Sequence, residues 1–267
     1  MKIAIWKTGH QIADTVADAL KEGLPDAEII NISDLGNTPN DRYELSIAYG
    51  ILRRTTEVFN GSNIWFNVDR GYINPSHYDG YYRVSLRGTQ TTFFDDWMYD
   101  DKRLKRLDIS FKPWRGMDMA KPVLIIPPTE HVRDFFHFTG MDYDRNYKDQ
   151  KCEVRLKGNS KPINFYDYNY VITFNSSVGW QAIQAGIPCV SNSTYSIVGS
   201  FCHNISLDNL SEFQHANRHK LFCAMANTQL KLDEIRKGDI WPLMNKLMCS
   251  SATMRGKQLA VTLRPTP

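Results

Sequence analysis

Short apolar runs alternate with segments of helical periodicity over the first 70 residues. Three apolar runs of strand length lie at residues 3–6, 29–32 and 64–68. Two segments with apolar positions three or four residues apart lie between them, at residues 12–20 and 48–59. The runs are typical of buried strands, and the spacing is that of one face of an α-helix. Strand, helix, strand, helix, strand is the order of a parallel sheet covered by helices.

A second set of strands and helices begins at residue 122. Strands are predicted at residues 123–126, 152–156 and 170–174. Helices are predicted at residues 129–138, 177–185, 210–226, 232–237 and 240–248, and the last residues are predicted to form a tail. Gly186 and Pro188 directly follow the second of these helices, and both residue types end helices.

Residues 69–122, between the two sets, lack both periodicities. They are rich in glycine and aromatic residues, and basic residues gather toward their end. A long irregular segment inside a compact chain is usually functional or disordered, and the many aromatic residues favour order. The whole pattern predicts an α/β protein of two units, with ligands bound beyond the carboxyl ends of the strands.

The composition is that of an ordinary globular protein, with 42% hydrophobic and 23% charged residues among 267. It excludes extended disorder, a collagen-like repeat and a disulfide-rich miniprotein. The net charge of +3 is too small to require a polyanionic partner. The five cysteines form no C-x-x-C pair, which argues against a zinc site and favours reduced thiols. Because no signal peptide and no membrane-spanning apolar stretch is found, we expect a cytoplasmic protein.

The segment with the clearest chemistry lies at residues 173–188. A predicted strand ends in Asn175, Ser176 and Ser177, and a helix begins at once. Backbone N–H groups at a helix start, with hydroxyl groups beside them, bind anions such as the pyrophosphate of a nucleotide-sugar. The alternative, that Ser176 only caps the helix, has equal weight on physical grounds.

Several short motifs resemble those of capsule-polysaccharide-type glycosyltransferases and of their bacteriophage-encoded relatives. Residues 175–179 (Asn-Ser-Ser-Val-Gly), with Ala182 and residues 186–188 (Gly-Ile-Pro), resemble the donor-binding motif of that family. Residues 155–157 (Arg-Leu-Lys) are similar to its upstream basic motif for the donor phosphates. The segments that resemble the phage relatives are residues 69–72, 77–83, 227–229 and 232–235, with Gly238 and Trp241.

The resemblance implies a GT-B fold, in which two Rossmann-like domains face a cleft. It implies an acceptor domain over residues 1–118, a donor domain over residues 119–235, and a C-terminal helix and tail over residues 236–267 that pack back on the first domain. The implied donor is a nucleotide-sugar, with a UDP-sugar as the first expectation and no obligatory metal. The expected donor-binding residues are Arg155, Lys157, Asn175, Ser176, Ser177, Gln181, Glu130 and His131.

Two departures from the family pattern bear on the donor. Gln181 stands where the family usually carries Glu near the donor ribose, and an amide can still donate and accept hydrogen bonds there. Residues 158–161 (Gly-Asn-Ser-Lys) replace the usual His-Pro, although Lys157 and Lys161 can still pair with phosphates.

An inverting transfer needs a base near the acceptor hydroxyl, and a carboxylate in a loop suits that role. Asp69, predicted directly after a strand, is the first candidate and Asp79 the second, and either can also be an ordinary turn carboxylate. His77 is expected to orient the acceptor or to be structural. A retaining transfer needs no such base, and the sequence does not choose between the two outcomes. No carboxylate pair has the spacing and context of a metal site.

The phage resemblance implies an acceptor in DNA, such as a 5-hydroxymethylpyrimidine base. The expected phosphate contacts are Arg83, Arg87, Lys102, Arg103, Lys105, Arg106, Lys112 and Arg115. Tyrosines of the same segment are expected to stack on a base flipped out of the duplex. The alternative is a solvated charged face over an aromatic core, because acidic residues such as Asp95 and Asp108 interleave with the basic ones.

Three hypotheses remain open at this point. The first is a nucleotide-sugar-dependent glycosyltransferase acting on hydroxymethylated pyrimidines of phage DNA. The second is the same enzyme class acting on a surface glycan or lipid-linked sugar, although the basic amphipathic helix usual for such enzymes is not evident. The third is a non-catalytic binding protein that keeps the fold, for which Gln181 is mild support.

Overall fold

The chain divides into two compact units. The structure, a computed structural model, describes residues 1–36, 43–52, 54–75, 79–136, 151–156, 158, 161–191 and 195–262, with side chains as far as residue 252. The first unit comprises Met1–Trp97 and Thr228–Pro267, and the second comprises Met98–Asn227. Each unit contains helices and a largely parallel sheet, which confirms the α/β class predicted from the sequence.

The first unit is built on a six-stranded sheet. With elements numbered in chain order over both units, its strands are β1 (Ile3–Lys7), β2 (Glu28–Asn31), β3 (Leu45–Tyr49), β4 (Ile64–Arg70), β5 (Tyr81–Leu86) and β10 (Gln229–Lys231). Its helices are α1 (Gln11–Gly23), α2 (Thr55–Asn60), α8 (Leu232–Arg236) and α9 (Ile240–Thr262). The strand order is β10-β5-β4-β3-β1-β2, in which β1 to β4 are parallel and the β4–β5 and β5–β10 pairs antiparallel.

Apolar side chains of the central strands and of the first helix form the core of the first unit. Ile5 of β1 and Ile47 of β3 pair in register, and neither side chain has exposed surface. Val16 and Leu20 of α1, spaced four residues apart, are buried as well. Burial of these positions removes apolar surface from water, which is the main favourable contribution to folding.

The helix predicted over residues 48–59 is wrong at its start, where the structure has the end of a strand, β3. Leu45–Tyr49 form a strand between β1 and β4, and helix α2 covers only Thr55–Asn60. A central strand covered on both faces has a nearly continuous apolar run, which periodicity alone does not separate from a buried helix. The predicted irregular segment likewise contains a strand, β5, which pairs with β4.

The C-terminal part of the chain belongs to the first unit. Strand β10 pairs with β5, and α8 packs on α1 so closely that a Cβ on Gly23 would lie 2.0 Å from Ile235 O. Helix α9 extends to Thr262, where the sequence predicted a helix only to residue 248 and then a tail. Residues 249–262 contain no proline and one glycine, so no strong helix-ending signal occurs there.

The second unit is built on a four-stranded parallel sheet. Its strands, in the order β7-β6-β8-β9, are β6 (Val123–Ile126), β7 (Cys152–Val154), β8 (Val171–Thr173) and β9 (Cys189–Ser191). Its helices are α3 (Lys102–Arg106), α4 (Glu130–Phe135), α5 (Val178–Gln184), α6 (Ile197–Phe201) and α7 (Leu207–Asn227). Parallel strands separated by helices are what the second set of apolar runs predicted.

The unit boundaries differ from the domain limits predicted at residues 118 and 235. Residues 98–118 lie in the second unit, where the Lys112 N–H donates to Gln184 O at 3.0 Å and the Arg115 N–H to Gly186 O at 2.9 Å. Residues 228–235 lie in the first unit because they form β10 and α8. Backbone hydrogen bonds and strand pairing, both set by residues far along the chain, decide these boundaries.

Candidate functional site

The parallel sheet of the second unit has a topological switch point between β6 and β8. The chain continues from β6 to a neighbour on one side, β7, and from β8 to a neighbour on the other side, β9. The loops after β6 and β8 therefore diverge at the carboxyl edge, which is where open α/β sheets bind ligands. The predicted donor-site residues on these two loops, or at the start of the helix that follows, are Glu130, His131, Asn175, Ser176 and Ser177.

Residues 174–177, here called the serine loop, connect β8 to α5 and contain two serines in different environments. Ser176 Oγ accepts a hydrogen bond from the Val178 N–H at 3.3 Å, and the Ser176 N–H donates to Thr173 Oγ1 at 3.2 Å. Ser176 Oγ therefore binds the first backbone N–H of α5, and the donor contact expected of Ser176 stays a prediction. Ser177 is exposed and its side chain makes no capping hydrogen bond, so its hydroxyl is accessible to a ligand.

The remaining motif positions near the serine loop differ in exposure. A Cβ on Gly179 would lie 3.0 Å from Thr173 Cγ2 and 3.1 Å from Cys189 Sγ, so the glycine allows α5 to pack closely on β8 and β9. Ala182 is fully buried, whereas Gln181 is exposed. The motif therefore combines packing positions with an exposed amide.

Glu130 and His131 begin helix α4 directly after the loop from β6, and both are exposed or half-exposed. The preceding residue, Thr129, makes no capping hydrogen bond with its side chain. The carboxylate and the imidazole are thus accessible at the same edge of the sheet as the serine loop.

Arg155 follows β7, and the structure gives it a contact that the sequence did not predict. The residue is buried, and its guanidinium donates a hydrogen bond to Lys161 O. Lys161 is exposed, whereas Lys157 lies outside the described residues. Arg155 therefore joins the two ends of the predicted basic loop, and Lys161 offers an exposed ammonium group.

Asp69 lies within β4 rather than directly after a strand, and it is ion-paired. Arg83 of β5, its register partner, places Nη2 2.5 Å from Asp69 Oδ2. The Arg83 guanidinium also donates to Thr89 O and Arg70 O, both at 2.9 Å. Burial, and next the negative charge of Asp69, raise the pKa of Tyr49 well above its usual range.

Of the other two predicted catalytic residues, only Asp79 belongs to the described part of the chain. Asp79 precedes β5 and is exposed, whereas His77 lies outside the described residues. An exposed carboxylate is accessible to an acceptor without any change in the core. The roles of Asp69, Asp79 and His77 remain predictions.

Three of the eight predicted nucleic-acid contacts, Arg83, Arg87 and Arg115, donate hydrogen bonds from their side chains to backbone carbonyl groups of their own units. Arg83 holds Asp69, and Arg115 places Nη1 3.1 Å from the Asp118 carboxylate while it donates to Tyr168 O. Arg87 lies at the other end of β5 and donates to Asn63 O. These side chains bind protein oxygen atoms, which differs from the phosphate contacts that their sequence cluster predicted.

Of the other five predicted contacts, four lie on helix α3 and the fifth, Lys112, follows it in the chain. Lys102, Lys105, Arg106 and Lys112 are exposed, and Arg103 is half-buried. Lys102 lies 3.6 Å from the Asp100 carboxylate and Lys105 lies 2.8 Å from that of Asp101. Exposed ion pairs of this kind contribute little to stability and exchange easily for other anions.

Asn67, a buried polar side chain on β4, is not among the residues predicted from the sequence. Asn67 has no exposed surface, and neither atom of its amide has a hydrogen-bond partner among the described residues. It lies two residues before Asp69, so both side chains extend from the same face of the strand. An unpaired buried amide costs about 1–3 kcal/mol. A lone amide between Phe66 and Val68 was the sequence signal for it.

The sequence also gave no indication of an aromatic cluster at the carboxyl edge of the second sheet. Phe136 stacks on Tyr195 with ring centroids 4.5 Å apart, and it meets Phe174 at 5.4 Å. These residues follow α4, β9 and β8, and only their positions in the fold bring them together.

The described part of the chain lacks two further kinds of feature. None of its helices has both the length and the apolar composition needed to cross a bilayer. Its His, Cys, Asp and Glu side chains form no group of three or more that could hold a metal ion.

The chain resembles two solved structures at low sequence identity. One is "Thermosulfurimonas dismutans KpsC, beta Kdo 2,7 transferase", with 12% identity and a TM-score of 0.45 over 92% of this chain and 99% of that one. Another is the beta Kdo 2,4 transferase of KpsC from the same organism, with 9% identity and a TM-score of 0.43 over 84% and 90% of the two chains. No protein-family model and no curated protein matches the chain.

Proposed function

We propose that the chain is a nucleotide-sugar-dependent glycosyltransferase that binds its donor at the carboxyl edge of the second sheet. The observation that carries the proposal is the convergence of Glu130, His131 and the serine loop at the β6/β8 switch point. The motif resemblance of residues 175–188 supports the same assignment. A nucleotide-sugar, with UDP as the first nucleotide to test, is the donor class that fits both.

The proposed donor contacts are short polar groups around a diphosphate. The exposed Ser177 hydroxyl and the Asn175 amide can donate hydrogen bonds to phosphate oxygens, and His131 can do so from the start of helix α4. Lys161 supplies positive charge, and Lys157 is proposed to do the same. Hydrogen bonds and charge that grow stronger as the diphosphate leaves are the main source of catalysis in such a transfer.

In the proposed reaction, an acceptor hydroxyl oxygen forms a bond to the anomeric carbon. The bond from that carbon to the phosphate oxygen breaks, and the nucleoside diphosphate leaves with the electron pair. If the transfer inverts configuration, a carboxylate takes the hydroxyl proton. Asp69 and Asp79 are the proposed candidates, of which Asp79 is exposed and Asp69 is held by Arg83.

We further propose a hydroxymethylated pyrimidine of phage DNA as the acceptor. Its support is the resemblance of residues 69–72 and 77–83 to phage enzymes, together with the exposed basic residues of α3 and Lys112. Such residues bind phosphates through release of counterions, so binding to DNA should weaken steeply as salt rises.

Donor binding is tested by calorimetric titration with nucleoside diphosphates and their sugars. Ser177→Ala should weaken the affinity for the cognate nucleotide about tenfold, since a hydrogen bond to a charged group contributes about 1.5–3 kcal/mol. Ser110→Ala, at another exposed serine of the same unit, is the matched control and should bind as the unmodified protein does. Equal affinities of both variants would remove the serine loop from the donor site.

Transfer is tested with the cognate radiolabelled donor and duplexes that carry either 5-hydroxymethylcytosine or cytosine. Label should enter only the hydroxymethylated duplex. Of the two variants Asp69→Asn and Asp79→Asn, the one that removes the base should abolish labelling while donor affinity is retained. The melting temperature of each variant shows whether transfer is lost because the base is missing or because loss of the Asp69–Arg83 ion pair destabilises the protein. Donor binding without any DNA labelling would favour a glycan acceptor, and binding without any turnover would favour a non-catalytic protein.

A further inference from the structure

Tyr195 is a large aromatic side chain exposed at the ligand-binding edge of the second unit. Its relative exposure is 52%, and one face of its ring stacks on Phe136 with an interplanar angle of 27°. Phe136 in turn packs against Phe174, which is buried. About half of the tyrosine surface thus remains accessible to solvent even though one ring face is stacked, and covering that surface with a ligand would be favourable.

Ser196, the residue that follows Tyr195, is held in place by hydrogen bonds. The hydroxyl groups of Ser191 and Ser196 lie 2.6 Å apart, and Ser191 Oγ also donates to Phe174 O at 2.7 Å. Ser196 Oγ accepts from the Gly199 N–H at 2.9 Å and so caps α6. These bonds tie Tyr195 to the carboxyl ends of β8 and β9, so a ligand that stacks on the ring would need little ordering of the protein.

The same bonds link the aromatic stack to the serine loop. Phe174 is the first residue of that loop, and its side chain contacts Phe136 while its carbonyl accepts from Ser191. The exposed ring of Tyr195 and the exposed hydroxyl of Ser177 therefore belong to one edge of the sheet. A flat apolar surface beside hydroxyl and amide groups suits a ligand with an aromatic ring at one end and phosphates at the other.

We infer that Tyr195, supported by Phe136, is the stacking platform for the nucleobase of the donor nucleotide. This inference rests on the proposed donor site. It adds a contact to the nucleobase, the part of the donor that the serine loop does not recognise. Every base has a π-face, so stacking supplies affinity without selecting one base. Base selection then falls to polar groups around the platform, and the sugar is recognised elsewhere.

The test compares nucleotide affinity in three variants of Tyr195. Tyr195→Ala and Tyr195→Leu both remove the aromatic ring, and Tyr195→Leu keeps an apolar contact with Phe136. Tyr195→Phe keeps the aromatic ring. Because stacking on an aromatic residue contributes to the affinity for a base, the first two should bind the cognate nucleoside diphosphate about tenfold more weakly. Tyr195→Phe should bind within about twofold of the unmodified protein.

Two controls make the outcome specific to the base. Tyr166, a 36% exposed tyrosine that precedes β8, lies toward the amino end of that strand, so Tyr166→Ala should leave the affinity unchanged. Inorganic pyrophosphate has no base, so its affinity should be the same in Tyr195→Leu and in the unmodified protein. Unfolding midpoints of all variants identify any that fail to fold.

The results distinguish failure of this inference from failure of the proposed function. Nucleotide binding that is equal in the unmodified protein, Tyr195→Ala and Tyr195→Leu would overturn the platform and leave the donor site standing. A parallel loss of pyrophosphate affinity in the folded Tyr195→Leu variant would also overturn it, because the ring would then act on the phosphate site. Absence of any nucleotide binding to the unmodified protein would overturn the proposed function itself.

Discussion

Gly186 shows how a residue of a ligand-binding motif can be required by packing. It follows α5 with a φ of +85°, a conformation that side-chain-bearing residues rarely adopt. A Cβ there would lie 2.1 Å from Pro113 O, because the segment before β6 approaches at this point. The resemblance placed Gly186 in a donor motif, but its own surroundings already account for the glycine.

We predict that Gly186→Ala destabilises the protein by about 3 kcal/mol or more, since backbone strain of about 1–3 kcal/mol adds to a clash with a carbonyl. Gly50→Ala is the matched control, because Gly50 has a φ of +69° but a Cβ added there would meet no described atom within 4 Å. It should cost about 1 kcal/mol. Urea denaturation of both variants measures the difference, and equal losses would show that Pro113 can move away.

At the scale of elements, two glutamine side chains complete the hydrogen bonding of backbone segments. The Gln214 amide of α7 accepts from the Cys189 N–H at 2.9 Å and donates to Cys189 O at 2.6 Å. Gln229 of β10 does the same for Ile73, at 3.0 and 3.3 Å. β9 is an edge strand, and Gln214 satisfies groups that a further strand would otherwise pair.

We predict that Gln214→Leu destabilises the protein by about 2–4 kcal/mol, because it leaves a buried N–H and a buried C=O unpaired. Gln184→Leu is a suitable control, since the Gln184 side chain donates one bond, at 3.2 Å, to the carbonyl of exposed Ser110. Water can replace that bond, so the control should cost about 1 kcal/mol or less. A similar loss in both variants, measured by urea denaturation, would contradict the special role of Gln214.

At the scale of the whole molecule, folding of the second unit raises the pKa of two cysteine thiols and one tyrosine hydroxyl. Burial raises the pKa of the Cys202 and Cys223 thiols to about 11. Burial, and a hydrogen bond to the Glu153 carboxylate, raise the pKa of Tyr168 to about 12. The thiols are therefore protonated at neutral pH and are poor nucleophiles.

These shifts predict a loss of stability at alkaline pH. A group whose pKa is raised by folding contributes stability below its unfolded pKa, and that contribution is lost as pH rises toward the folded value. For Tyr168 this interval begins at the ordinary tyrosine pKa of 10.0 and ends at about 12. Tyr168→Phe should therefore lose less stability than the unmodified protein between about pH 10 and pH 12, each difference of one pKa unit corresponding to about 1.4 kcal/mol. Urea midpoints across this range that change in parallel would contradict the prediction.

Much of the fold could be predicted from the sequence because apolar periodicity is local. β1, α1, β6 and α5 lie where the spacing of apolar residues indicated. The central strand β3 could not be separated from a helix, since burial on both faces removes the alternation that identifies a strand. β10 could not be predicted either, because three residues form a strand there only by pairing with β5.

The candidate site likewise has features that the sequence determined and features that only the tertiary structure decided. The sequence by itself determined that polar residues follow β6 and β8, since the end of an apolar run and the polar residues after it are adjacent in the chain. Only the tertiary structure decided that Arg83 pairs with Asp69, that Arg155 binds Lys161 O, and that Phe136 supports Tyr195. Each of these contacts joins elements or loop ends whose distance depends on how the strands pair. Local patterns report which residues are buried, whereas the partner of a charge or a ring depends on the packing of the whole unit.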